Sequence, residues 1–112
     1  MIRVTAYVRP HRLEMVKTAV AAVGVSGITV ADVRGTGNSP ESASLFGGAA
    51  QAGAMPIRSK LTVVVADDLA DAVVEAMIEN ARTGEPNDGK IFLERVTDAV
   101  RVRTGERGDA AV

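Results

Sequence analysis

Asn87-Asp88-Gly89-Lys90 is the stretch of this 112-residue chain whose composition most directly suggests chemistry. Asn-Asp-Gly is good turn composition, and glycine takes a positive φ at little cost. Two readings fit the tetrapeptide: a plain connector, or a loop whose backbone N–H groups and one ammonium face an anion. Arg101 and Arg103 bear on the choice. Two apart in a strand, they would leave the same face about 7 Å apart, as a solvated edge or as an anion clamp. With Lys90 they make three cations, which together with a run of backbone donors suit a di- or triphosphate. Ile28, Thr29 and Val64 offer an apolar slot with one hydroxyl for a base, although strand residues of this kind also serve as core.

No catalytic set assembles from the obvious parts. A nucleophile needs a base within reach and a third, orienting group. His11 is the only histidine, and cysteine is absent. Asp67, Asp68 and Asp71 cluster at an expected helix start, where they would cap the helix and complement its dipole. A thiolate or histidine-rich metal site is excluded, while carboxylate-bound Mg²⁺ stays open. Binding is favoured over turnover. The enzymatic alternative is a small ferredoxin-like ATPase or phosphatase using Asp88 and Lys90; a passive assembly component is a third reading.

The elements that must position these residues follow from periodicity. Ile2, Val4, Ala6 and Val8 alternate with polar neighbours, the pattern of a half-buried strand, which Pro10 ends. Leu13, Val16, Val20 and Val23 fall at helical spacing before Gly24. Residues 28–33 and 61–65 read as strands. Asp67-Asp68 opens a second helix with Leu69, Val73 and Met77 on one stripe, running to about Arg82. Residues 91–93 open a fourth strand, 100–103 a fifth strand segment, and 104–112 form a tail. The order βαββαβ predicts an α+β, ferredoxin-like sandwich of two helices on an antiparallel sheet, in a single domain over 1–112. Residues 36–57 form a long connection between strands two and three, with Glu41 its only charge. Leu45, Phe46 and Met55 are its bulky apolar anchors, and such a length points to a functional loop or a tolerated insertion.

Composition closes off other classes. Thirteen basic against fourteen acidic side chains give no field toward nucleic acid or an anionic membrane. Tyr7, Phe46 and Phe92 are the whole aromatic set, too few for base-stacking surfaces. Nucleic acid is therefore not an expected partner. No apolar run approaches a membrane span, so a soluble, cytoplasmic chain is expected.

Several stretches together resemble the P-II family of nitrogen and carbon signalling proteins. They are Arg9-Pro10 after the opening strand, V-G-V-S-G-I-T-V at 23–30, V-R-G-T-G at 33–37 and V-V-A-D-D at 64–68. Two longer ones are T-G-E-P-N-D-G-K-I-F at 83–92 and V-R-V-R-T-G-E-R-G-D-A-A-V at 100–112. The resemblance implies a homotrimer with an adenine-nucleotide site (ATP, ADP or AMP) in each cleft between neighbours. It also implies a 36–57 loop that changes shape with ligand and docks on a target, a membrane transporter or a metabolic enzyme. By position, Gly27, Ile28, Thr29 and Val64 would hold the adenine. Gly35, Thr36, Gly37 and Asn38 would lie beside the ribose and phosphates, and Asn87, Asp88, Gly89, Lys90, Arg101 and Arg103 would hold the phosphates.

The departures from the family pattern are equally specific. Asn38 and Ser39 stand where members that sense 2-oxoglutarate carry an arginine and a Mg²⁺-chelating glutamine. Gln51 replaces the tyrosine that many members have modified, Ala49 a phosphorylated serine, and Gly47 an arginine that enters an ammonium channel. Arg9, Gly37, Ser39 and Arg58 remain as a small-anion set, for bicarbonate or 2-oxoglutarate, and Leu45 and Phe46 as the docking contact. An altered loop on a retained nucleotide set resembles the P-II-like variants found beside bicarbonate transporters and carboxysome genes. The expectation is an adenylate sensor for inorganic carbon; the alternative is a conventional nitrogen regulator responding to ATP and 2-oxoglutarate.

Overall fold

The computed structural model describes residues 1–36 and 55–112. Strand β1 (Ile2–Val8) leads through a short 3-10 turn at Pro10–Arg12 into helix α1 (Leu13–Val23). Strands β2 (Thr29–Arg34) and β3 (Ile57–Val65) follow, then helix α2 (Ala70–Ala81) and strand β4 (Gly89–Arg95). The four strands form one antiparallel sheet in the order β2-β3-β1-β4. This is the expected ferredoxin-like α+β fold.

Parity along the strands sets the two faces of the sheet. Val4, Ala6 and Val8 of β1 and Leu61, Val63 and Val65 of β3 are buried toward the helices. Against them lie Val16 and Val20 of α1 and Val73 and Met77 of α2, all fully buried. The opposite face carries Tyr7, Lys60, Thr62, Val64 and Phe92, with no helix over it among the described residues. There Phe92 is 50% exposed, packed edge-on against Tyr7 with ring centroids 6.1 Å apart.

Three local expectations are corrected. The fifth strand segment is absent: Val100 makes a single bridge to Arg107, and the chain turns back at 101–104. The Gly105 N–H donates to the Arg101 carbonyl at 2.7 Å, and the Arg101 N–H to the Glu106 carbonyl at 2.9 Å. Gly105 and Gly108, at φ +73° and +71°, allow the reversal that the alternating Val-Arg pattern conceals. Secondly, β3 begins at Ile57, so the last residue of the expected 36–57 loop is already paired, opposite Arg34. Thirdly, neither helix-start aspartate caps α2 by a side-chain hydrogen bond. Asp67 instead accepts from the α-amino group of Met1 at 2.8 Å and from Arg95 at 3.2 Å, joining the ends of β1 and β4.

Candidate functional site

The turn between α2 and β4 is built around one carboxylate. Asp88 Oδ2 accepts the backbone N–H of Thr83 at 2.8 Å and of Gly84 at 2.9 Å. Asp88 Oδ1 accepts the Thr83 hydroxyl, and at 3.4 Å the Nε of Arg9. Arg9 also donates through Nη2 to the Pro86 carbonyl at 2.6 Å, so the end of β1 grips the turn from outside. Gly84, Asn87 and Gly89 all have positive φ, at +89°, +69° and +127°. A non-glycine residue there is uncommon, though asparagine tolerates it better than most.

This turn forms one wall of a cleft of about 630 Å³. Asn87, Asp88, Gly89 and Lys90 line that wall; Val33 to Thr36, from the end of β2, line another. The outer face of the sheet closes it with Tyr7, Arg58, Lys60 and Phe92. The stem of the β2–β3 connection is zipped at the mouth. Gly35 donates its N–H to the Pro56 carbonyl at 3.1 Å, and Arg34 Nη1 reaches the Met55 carbonyl at 3.2 Å.

Of the residues expected at the site, Gly35, Thr36, Arg58, Asn87, Asp88, Gly89 and Lys90 converge on this cleft. Arg9 reaches its rim through Asp88. Gly27, Ile28, Thr29 and Val64 are not among its lining. Thr29 is four residues from Val33 along β2, and Val64 four from Lys60 along β3, about 13 Å each. Arg101 and Arg103 sit in the C-terminal turn, not in a strand, so the shared-face spacing does not apply. Arg101 is engaged locally, donating to Glu106 at 3.1 Å and to the Ala110 carbonyl at 3.2 Å. Gly37, Asn38, Ser39, Leu45 and Phe46 lie outside the described residues.

The cleft also recruits residues that sequence pattern did not single out, Tyr7, Arg34 and Lys60, and the turn behind it recruits Thr83. Lys60 was findable. With β3 begun at Ile57, Arg58 and Lys60 fall two apart on one face, as cleft cations beside Lys90. Arg58 donates through Nη1 to the Ile57 carbonyl, while its Nη2 is buried with no hydrogen-bond partner among the described residues. Lys60 Nζ stands 6.0 Å from the centre of the Tyr7 ring, within cation–π range.

The electrostatics suit an anion. Asp88 is the carboxylate in the cleft lining, and its charge is already compensated by its donors. The Thr83 hydroxyl above all, with the amides of Thr83 and Gly84 and the Arg9 guanidinium, outweighs burial and lowers its pKa to about 2. A carboxylate held so low is a poor proton acceptor at neutral pH, which disfavours general-base work by Asp88. Because the folded pKa lies below the ordinary 3.8, this carboxylate adds stability above that value and loses it as pH falls toward about 2. Acid unfolding of the wild type between pH 4 and 2 should accordingly be steeper than that of Asp88→Asn, measured by circular dichroism. Parallel acid limbs would show that the contacts are not made in solution.

Comparisons with known proteins agree on a family. The model of the family "Nitrogen regulatory protein P-II" matches residues 1–106. A nitrogen regulatory protein P-II of Cereibacter sphaeroides is 41% identical over 112 residues, with both chains covered completely. A P-II homolog of Arabidopsis thaliana is 44% identical over 97% of this chain, which spans 56% of that relative. Among solved structures, Arabidopsis thaliana PII bound to citrate superposes with a TM-score of 0.80 at 40% identity, covering 98% of this chain and 87% of that one. Sequence, fold and relatives thus converge, and the chain belongs to the P-II family of nitrogen regulatory proteins, which are signal-transduction regulators.

Proposed function

We propose that the chain is an adenine-nucleotide-binding regulator that works as a homotrimer and signals through its 36–57 loop. The observation that carries the reading is the cleft in which Lys90 and the Asn87–Gly89 turn face Arg58 and Lys60 across the sheet. Phosphate groups fit that combination of fixed cations and turn backbone. ADP, AMP and ATP share this chemistry. The remaining expected residues, Gly27, Ile28, Thr29, Val64, Arg101 and Arg103, lie outside the cleft of one chain, which fits a site completed by a neighbouring copy.

The second ligand in this reading is a small anion, bicarbonate in the first instance, and the loop's target belongs to inorganic-carbon metabolism. Arg58 supports the anion, since its buried Nη2 has no protein partner among the described residues. Sequence supports the choice of bicarbonate: Asn38 and Ser39 replace the arginine and glutamine expected of a 2-oxoglutarate sensor. A second reading has its own support. The curated relatives are nitrogen regulators, so a response to ATP and 2-oxoglutarate with Mg²⁺ is the alternative.

Calorimetric titration separates these readings. ADP is expected to bind the wild type, and Lys90→Ala to bind it about 10- to 100-fold more weakly, the span of a charge-assisted hydrogen bond. As a co-ligand in this reading, bicarbonate should tighten ADP binding, and ADP should then tighten bicarbonate binding by the same factor. Indifference to bicarbonate combined with Mg²⁺-dependent synergy between ATP and 2-oxoglutarate would establish the nitrogen reading. No nucleotide binding at all would remove both.

A further inference from the structure

We infer that Asp88 is the positioning residue of the anion-binding turn: it fastens Thr83, Gly84 and Arg9 into one cluster and so fixes Asn87, Gly89 and Lys90 along the cleft. The inference rests on the nucleotide reading and deepens it, because it moves Asp88 from ligand contact to a role exerted through the turn.

Three observations carry it. Both carboxylate oxygens are already occupied, by two amides, one hydroxyl and one guanidinium. A bare carboxylate beside a phosphate would repel it, whereas one paired with these donors is tolerated. Next, the donors come from both sides of the turn. Thr83 and Gly84 lie just past the end of α2, and Arg9 just past the end of β1, so one side chain ties two elements to the start of β4. Thr83 extends the cluster, its hydroxyl oxygen also accepting the Glu85 N–H at 3.2 Å. Finally, the backbone it fastens includes a left-handed non-glycine residue, Asn87 at φ +69°, a conformation that its surroundings must hold. Without the clamp, the turn would be ordered only when ligand arrived, and affinity would fall by the cost of ordering.

The test is ADP titration of the full-length wild type, Asp88→Ala, Asp88→Asn, Arg9→Met and the Asp88→Ala/Arg9→Met double variant. Each is run once with Mg²⁺ and once with EDTA. Asp88→Ala should lose about tenfold or more in ADP affinity equally in both buffers. Asp88→Asn should fall in between, and Arg9→Met should cost less in the Asp88→Ala background than in the wild type, where it removes the Asp88 contact as well as the Pro86 one. Hydrogen exchange at the Thr83 and Gly84 amides, read without nucleotide, should lose its protection in Asp88→Ala while core amides keep theirs.

Wild-type ADP affinity in Asp88→Ala would overturn the inference while leaving the nucleotide reading intact. A loss seen only with Mg²⁺ would overturn it as well, by making Asp88 a cation ligand. Failure of the wild type to bind ADP would bring down the nucleotide reading and this role together, and is told apart by needing no variant. If Asp88→Ala does not fold, Asp88→Asn and Thr83→Ala each remove part of the cluster. Full affinity in both would overturn the role.

Discussion

Gly89→Ala is expected to lower folding stability by about 2–6 kcal/mol, the combined range of a strained backbone and an overpacked contact. Gly89 opens β4 opposite Val8, at φ +127°. A Cβ built there collides with the Tyr7 carbonyl oxygen and comes within 3.5 Å of the Val8 Cα. Both obstacles are backbone of the adjacent strand, so no side chain can rotate away. The start of β4 would have to leave β1, taking Lys90 with it and opening the turn that Asp88 clamps. ADP binding should disappear along with the stability. Gly84→Ala is the control, since its φ is also positive, at +89°, but nothing lies within 4 Å of the added carbon. It should cost only about 1–2 kcal/mol. Urea denaturation at fixed protein concentration compares the two, and equal midpoints would show that the β1–β4 approach at Gly89 is looser in solution.

Much of this architecture was legible because it rests on local periodicity. The alternation from Ile2 to Val8 and the stripe at Leu13, Val16, Val20 and Val23 each state which face is buried, and the structure buries those faces. The Asn-Asp-Gly turn was equally readable, being a matter of backbone freedom. What failed needed a partner distant in sequence. Val100 to Arg103 has strand periodicity, but a strand needs a neighbour, and only Val100 finds one, at Arg107. Asp67 reads as a helix cap, yet the α-amino group of Met1 and the Arg95 guanidinium take its oxygens. The start of β3 was hidden because Ser59, a polar residue, faces the core at 1% exposed and breaks the apolar alternation. Missing that start meant missing Lys60 as a cleft cation. The positioning role of Asp88 was out of reach for a related reason: its type and place in the turn were visible, but not that Thr83 and Arg9 would saturate it.

The outer face of the sheet is where fold and function meet. It leaves Phe92 half exposed beside Tyr7, on a surface that no element of the chain covers among the described residues. The proposed trimer would bury this surface between copies. Phe92→Asp would put a carboxylate in place of that ring, with Lys90 two residues back on the same face and Arg3 on β1 and Lys60 on β3 as its nearest cations, and burying it between copies in place of an apolar contact is costly. The expected result is conversion from trimer to monomer by size-exclusion chromatography with light scattering. Phe92→Leu keeps the apolar contact and should remain trimeric, which separates the effect of charge from loss of the ring at the cleft. The monomer should also lose ADP binding, since Thr29 and Val64 lie about 13 Å along their strands from the cleft of their own chain. A trimer that survives Phe92→Asp would move the interface to another surface. A monomer that still binds ADP fully would make the cleft of a single chain the whole site, with Arg34, Arg58, Lys60 and Lys90 as its cations and no role for Arg101 or Arg103.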